Sequence, residues 1–388
     1  MSEEPHAAPA SAQSSRPDYR SPPDYHSAAA AGIGVLQRWY SRRTGLWKST
    51  GWWNSANALT AVIRYSQYSG DRTYLRVIEN TFVKARRRQA DFINEFFDDN
   101  LWWALAWVGA CDLTGDERYL AAAQAIFAHS LGGWDDTCGG GLWWNEDRRY
   151  KNAITNELFL TLAALLAARA PGERGYRDWA LRAWEWLHGS GMIGPAGLVN
   201  DGLTAACTNN KGTTWTYNQG VILGGLAALH ELTGDQDYLR QGEVIADAVL
   251  SSLTDQRGIL AEPCEPSGCD GDQTQFKGIF VRYLHEFSRH GSSRESPSQR
   301  GSAQHGSAQQ RSAQQTGKPA YRAFILGNAD SVLRDARNPD GQFGLRWAGP
   351  FDKADASRQS SAVEVLIAAA ALTARDVPAY GFRRRPRR

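Results

Sequence analysis

Six stretches of the chain are apolar around most of a helical circumference and rich in small residues: 54–68, 101–113, 152–169, 216–232, 277–288 and 360–374. Between them run segments with apolar residues on one face only, beginning near 27, 71, 117, 174, 235 and 319. A helix that is apolar all round must be covered on most sides, whereas an amphipathic one can turn a face to water. Six of each kind, with no convincing strand ladder, predict an all-α (α/α)6 barrel, a toroid of six inner and six outer helices.

Repetition supports one unit used several times. SGDRTYLRVIENTF (69–82), TGDERYLAAAQAIF (114–127) and TGDQDYLRQGEVIADAV (233–249) share a Gly-Asp turn, a Tyr-Leu pair and then helical spacing. GERGYRDWALRAWEWL (172–187) and GKPAYRAFILGNADSVL (317–333) keep the tyrosine and the helix. Glycine after a helix supplies the left-handed stop, and the aspartate beside it caps the next helix. Connections from outer to inner helices are long and loaded with Gly, Trp and acids: 92–100, 132–151, 191–215, 254–277 and 337–360. All five lie at one end of the ring, so the functional site is expected there. The Ala/Ser/Pro-rich stretch 1–26, the polar insertion 291–318 and the basic tail 381–388 read as disordered, leaving one domain over 27–380.

Charge narrows the function. The chain has 388 residues and a net charge of +2, and five arginines among its last six residues account for more than that, leaving the body at −3. Such a body is not built to grip nucleic acid. Fifteen Trp, fourteen Tyr and thirteen Phe, many beside Gly, Asn or Asp, point to a flat ligand that forms hydrogen bonds. No apolar run reaches the roughly 18 residues that a membrane span needs, and no basic-then-apolar signal opens the sequence. As written the chain reads as cytoplasmic, with export by another route left open. Five cysteines form no Cys-x-x-Cys and eight histidines no His-x-x-x-His, so no structural zinc site is expected. An odd cysteine total without an export signal favours free thiols, with a small Cys264–Cys269 loop bridge as the alternative.

The sharpest chemical feature is Asp98-Asp99, followed by Asn100-Leu101-Trp102-Trp103 where an inner helix starts. Paired carboxylates can divide glycoside hydrolysis, one attacking the anomeric carbon and the other protonating the leaving oxygen. The plainer reading is helix capping, which also favours aspartate at that position. A second pair, Asp135-Asp136, sits between Trp134 and Cys138-Gly139-Gly140-Gly141-Leu142-Trp143-Trp144, where glycines let backbone approach a ligand and tryptophans offer stacking faces. Asn200-Asp201-Gly202, Thr216-Tyr217-Asn218-Gln219-Gly220 and Gln275-Phe276-Lys277-Gly278 bring amides and hydroxyls to inner-helix starts, where they also serve as ordinary caps. Glu262 and Glu265 read as solvated loop acids. No G-x-S-x-G, P-loop or dinucleotide fingerprint appears.

Taken in order, these blocks resemble glycoside hydrolase family 76. The likeness rests on Asp98-Asp99-x-x-Trp102-Trp103-Ala104-Leu105-Ala106-Trp107, Trp134-Asp135-x-x-Cys138-Gly139-Gly140-Gly141-Leu142-Trp143-Trp144 and Tyr150-Lys151-Asn152-Ala153-x-x-Asn156. It continues through Trp215 to Gly220, Gln275 to Phe280 and Gly341-x-Phe343-Gly344-Leu345-x-Trp347-x-Gly349-Pro350, and covers about 50–375. The resemblance implies an (α/α)6 barrel acting on α-1,6-mannan or mannose-containing oligosaccharides by a retaining double displacement, as a monomer, without cofactor or metal. By it Asp98 would be the nucleophile and Asp99 the acid/base, the pKa of Asp99 being raised by aromatic surroundings and by the charge of Asp98. Trp102, Trp134, Asp135, Trp143, Asn156, Asp201, Tyr217, Asn218, Gln219, Phe276, Lys277 and Trp347 are the candidate substrate-binding residues. Transfer to a second glycan, and glycan binding without catalysis, stay open as alternatives. A magnesium-dependent diphosphate chemistry would need an Asp-Asp-x-x-Asp pattern, and Trp102 stands where the third acid belongs. Two features depart from the family: no export signal is visible, and the 291–318 insertion lies outside its pattern.

Overall fold

Twelve α-helices form among the residues that the computed structural model describes, which are 23–171, 175–290 and 319–374. In chain order they are α1 (Tyr25–Leu36), α2 (Trp52–Ser69), α3 (Leu75–Arg88), α4 (Phe97–Thr114), α5 (Glu117–Ser130) and α6 (Ala153–Arg169). Then follow α7 (Tyr176–Gly189), α8 (Thr216–Thr233), α9 (Asp237–Ser252), α10 (Phe276–Ser288), α11 (Pro319–Asp335) and α12 (Ala356–Thr373). The expectations of disorder for 1–22, 291–318 and 381–388 lie outside the described residues. Helix α1 starts inside the stretch expected to be disordered, because Asp24 accepts the Ser27 backbone N–H as its cap.

Even-numbered helices close the inner ring: α2 packs on α4, α4 on α6, α6 on α8, α8 on α10, α10 on α12 and α12 back on α2. The odd-numbered helices lie outside, α5 on α4, α7 on α6, α9 on α8, and α1 and α11 on α12. Helix α3 joins through Phe82, which meets Phe92, Trp107 and Tyr119. This is an (α/α)6 barrel. Burial follows the hydrophobic pattern: α6 is buried at every position from Ala153 to Ala167, whereas α3 buries only Ile78, Thr81, Phe82 and Ala85. Inside the ring a charge chain joins α2, α10 and α12, with Arg282 and Arg64 both pairing with Glu364.

Two inner-ring contacts are close enough to exclude any side chain. A Cβ on Gly220 would lie 2.5 Å from the Phe280 Cα, and one on Gly278 would lie 2.5 Å from the Ser361 Cα. Glycine is therefore what lets α8, α10 and α12 touch backbone to backbone.

Helix boundaries differ from expectation where polar residues open an inner helix. The α4 helix begins at Phe97 and takes Asp98 and Asp99 into its first turn, and α12 begins at Ala356, ahead of Ser357, Arg358 and Gln359. Hydrophobic periodicity cannot see a turn whose side chains answer to loops instead of core. One short antiparallel pair, β1 (Tyr40–Ser41) with β2 (Leu46–Trp47), joins α1 to α2.

The expectation of free thiols is overturned. Cys138 is bridged to Cys207 and Cys264 to Cys269, while Cys111 is buried outside either bridge. The first bridge spans 69 residues and ties the glycine-rich loop before α6 to the loop before α8, a meeting that sequence spacing does not encode.

The glycine contacts give a contrast measurable by denaturant unfolding. Gly278→Ala should destabilise by about 1–3 kcal/mol through overpacking against rigid backbone. Gly327→Ala, on exposed α11 with nothing within 4 Å of the added Cβ, should stabilise by about 0.5–1 kcal/mol through helix propensity.

Candidate active site

Loops reach the inner helices at one end, and side-chain amides hold them there. Asn156 Oδ1 accepts the Leu142 N–H (2.7 Å) while its Nδ2 donates to the Leu142 carbonyl (3.1 Å). Gln219 does the same for Val199, 2.8 Å each way, and Asn100 for Asn94, at 2.8 and 2.9 Å. Each amide imitates one peptide of a strand partner and satisfies a buried loop backbone that would otherwise be orphaned. Asn156 and Gln219 thus spend both ends of their amides on the scaffold, and their place in the site is to hold it.

Two buried lysines do comparable work. Lys151 Nζ donates to Asp135 Oδ1 (2.8 Å) and to the carbonyls of Thr137 and Gly140 (2.7 Å each), with the Trp143 ring 4.8 Å away. Lys277 Nζ pairs with Glu265, donates to the Leu345 carbonyl (2.7 Å) and lies 4.9 Å from the Trp347 ring. Burial alone would raise the Asp135 pKa, but Lys151, the Trp143 indole N–H and the Thr137 N–H outweigh it and bring it down to about 2. Asp135, Trp143, Lys277 and Trp347 are therefore anchors of the loops. Trp134 packs between the two helical rings, edge-on to Trp179 and Trp186 of α7 and against Phe159 of α6 at 5.9 Å.

Glu262 and Glu265 are not the solvated acids expected. Glu262 is 1% exposed and accepts the Thr216 N–H (2.9 Å) and hydroxyl, and burial pushes its carboxyl up to about 8. Glu265 neutralises Lys277. Sequence placed them in a loop without showing that α8 and α10 both close over it.

The Asp98–Asp99 pair occupies the first turn of α4. Asp98 Oδ2 accepts the Trp144 indole N–H at 3.1 Å, whereas Oδ1 is buried without a hydrogen-bond partner. Asp99 Oδ2 accepts from the Asn94 amide at 2.7 Å. Burial, and then the charge of Asp99, hold the Asp98 pKa well above the ordinary carboxylate value. Burial raises Asp99 to about 7 against the pull of Asn94, with Asp272 and Glu95 adding to the rise. Two such neighbours titrate as a unit and keep a proton between them near neutrality.

On α8 stands Tyr217, whose phenol is pushed up by burial and then by the charges of Asp201, Asp98 and Glu157. Burial raises the Asp201 carboxyl against the pull of Tyr150, whose hydroxyl donates to its Oδ2 at 2.5 Å, and both ends of the buried Asn218 amide are without a hydrogen-bond partner. Tyr217 stacks on Phe276 at 3.7 Å, Phe276 meets Trp53 at 6.1 Å, and Trp53 stacks on Trp102 at 5.7 Å. An aromatic arc from α8 through α10 and α2 to α4 thus stands beside a carboxylate cluster. That combination suits a sugar, which offers C–H faces to rings and hydroxyls to acids.

Trp144, Tyr150, Trp53, Asp272 and Glu157 were not among the candidates. Trp144 is the neighbour of one that was, and Glu157, fully buried with both oxygens unpartnered, stands out in the sequence as an acid in an otherwise apolar helix. A cleft of about 650 Å³ between α1 and the 337–343 segment is lined by titratable side chains that are all exposed, and the buried acids lie elsewhere. Among the described residues, no three His, Cys, Asp or Glu side chains gather closely enough to hold a metal ion.

The chain is similar to proteins already known. The profile of Glycosyl hydrolase family 76 matches residues 26–380. Mannan endo-1,6-alpha-mannosidase DCW1 of Saccharomyces cerevisiae is 32% identical over 257 residues, which are 60% of this chain and 57% of that protein. The protein of the same name in Candida albicans is 30% identical with the same coverage, so the match spans just over half the length of these relatives. The Lin0763 protein of Listeria innocua superposes with a TM-score of 0.75 at 25% identity, over 89% of this chain and 97% of that one. An inactive variant of the alpha-1,6-mannanase of Salegentibacter sp. HEL1_6, in complex with alpha-1,6-mannotetrose, has the same fold, with a TM-score of 0.75 at 24% identity over 90% and 100% of the two chains.

Folding lowers the pKa of Asp135, so its contribution to stability is present above the ordinary value of 3.8 and is lost as pH falls towards about 2. Asp135→Asn should therefore cost on the order of 1–2 kcal/mol at neutral pH, discounted for partial exposure. Urea unfolding of the two proteins across that acid range should show the gap closing.

Proposed function

The chain belongs to glycosyl hydrolase family 76, and on that premise we propose that it cleaves α-1,6-mannosidic linkages within mannan with retention of configuration. Asp98 is the nucleophile and Asp99 the acid/base. The observation that carries this reading is the pair itself: adjacent carboxyls in the first turn of α4, one engaged by Trp144 and the other by Asn94, both raised by burial.

In the first step the Asp98 carboxylate bonds to the anomeric carbon as that carbon's bond to the leaving oxygen breaks, and Asp99 gives its proton to that oxygen. The product is a mannosyl ester on Asp98. Water then attacks the same carbon, Asp99 takes its proton, and Asp98 leaves as a carboxylate. Asp99 at about 7 is the protonated partner below neutrality. Its neutrality removes the smaller of the two influences that raise Asp98; burial, the larger, remains, and the Trp144 N–H pulls against it toward the carboxylate. The named relatives, mannan endo-1,6-alpha-mannosidases at 30 and 32% identity, support the choice of linkage.

Two further inferences accompany this reading. Two disulfides suit maturation in an oxidising compartment over the cytoplasm expected from sequence. A ring that closes within one chain suits a monomer as the working unit, and light scattering on the purified protein tests that. No helix among the described residues is long and apolar enough to cross a membrane.

With linear α-1,6-mannan, NMR should show the α-anomer forming first, and kcat/KM should fall as pH rises through about 7, where Asp99 loses its proton. Asp98→Asn and Asp99→Asn should each lower turnover on the order of a thousandfold with the fold intact by circular dichroism. Adding azide and an activated mannoside separates the roles. Asp98→Ala should give the β-azide by one inversion, and Asp99→Ala the α-azide by two. The opposite pattern exchanges the roles, and undiminished activity in both Asn variants rejects the pair.

A further inference from the structure

We propose that Trp144 is a positioning residue for the nucleophile, presented to Asp98 by a lock that Lys151 and Asp135 close on Trp143. The proposal rests on the nucleophilic role given to Asp98 above. Residues 142–145 lie between two neighbours, with Leu142 bridged to Trp134 on one side, Asn145 to Phe96 on the other, and the chain bending at Trp144. The backbone is pinned on both sides of that bend, so fixing Trp143 limits how the Trp144 ring can be aimed. Trp143 is fixed twice: its Nε1 donates to Asp135 Oδ2 at 2.7 Å, and Lys151 Nζ stands over its ring. The Lys151 side chain is wholly buried and held by Asp135 Oδ1 and two loop carbonyls, so the lock has no slack on the solvent side.

Trp144 meets α4 in two ways. Its carbonyl accepts the Phe97 N–H at 2.9 Å, one residue before Asp98, and its indole N–H reaches Asp98 Oδ2 at 3.1 Å. Phe96 backs the ring at 5.0 Å, and Trp144 N donates to the Tyr150 carbonyl at 2.7 Å. The same residue therefore sets where the first turn of α4 begins and which oxygen of Asp98 stays free. Trp144 is also one of two large apolar side chains left exposed among the described residues, at 36%. Core packing does not account for that exposure, while a polar contact at the mouth of a site does. A donor to Oδ2 favours the carboxylate form of Asp98 and fixes the rotation of the group.

The test is Trp144→Phe, which keeps an aromatic ring and removes the donor. Carbon-13 NMR of the carboxyl groups, with Asp98→Asn supplying the assignment, should show the Asp98 titration moving up by about one pH unit. On mannan, kcat should fall about 10- to 100-fold with KM little changed, and the acidic limb of kcat/KM should move to higher pH. Asp135→Asn, which weakens the lock without touching the pair, should shift the titration in the same direction by a smaller amount. An unshifted titration in folded Trp144→Phe overturns the proposal, as does a raised KM with kcat and the acidic limb unchanged, since that is the behaviour of a sugar-stacking ring. A shift in Trp144→Phe with none in Asp135→Asn overturns the lock. The titration is read without substrate, so a wild-type protein inactive on mannan would refute the proposed function and leave this result standing on its own.

Discussion

A helix buried on nearly every side can place polar side chains only at its ends or against other polar groups, and six such helices make the inner ring. In α6 and α12 every side chain over fifteen consecutive positions is buried. Polar chemistry is thereby driven to the end where the long loops arrive, and those loops bring backbone that must itself be satisfied once covered. The amides of Asn100, Asn156 and Gln219 and the ammonium groups of Lys151 and Lys277 answer that demand. The exception inside the ring is the Arg64–Glu364–Arg282 chain, whose charges are paired with each other.

The same confinement gives the acids their chemistry. Asp98, Asp99, Asp201 and Glu157 come from two inner helices and a loop, and burial is the first cause of the rise in each. A carboxyl in water would be ionised at neutral pH and could not protonate a leaving group; one withdrawn from water, as Asp99 is, can. Burial raises both members of the pair, so the division between them depends on what touches each oxygen. Asn94 and Trp144 are those contacts, and both arrive on loops.

Much of this was legible in the chain. Apolar stretches and Gly-Asp turns located the twelve helices to within a few residues, because an all-round apolar pattern is a direct consequence of being enclosed. The Asp98–Asp99 pair was visible by its position, and the outer-to-inner loops by their composition. Less legible was which polar residue faces a ligand and which faces the scaffold. Asn156 and Gln219 have the side chains of ligand-binding residues and are occupied by Leu142 and Val199. Trp143 and Trp144 are the same residue type one position apart, yet one meets Lys151 and the other Asp98, on a stretch of chain that bends between two isolated bridges.

Local pattern therefore determined the barrel, the end of it that carries the loops and the acidic pair at that end, since each depends on periodicity or on neighbours in sequence. Contacts between distant segments decided the rest: the Cys138–Cys207 bridge, the burial of Glu262 beneath α8, and the meeting of Trp144 with Asp98 across 46 positions. Spacing along a chain does not report distance across a ring, and the state of a carboxyl is set by what stands against it in space.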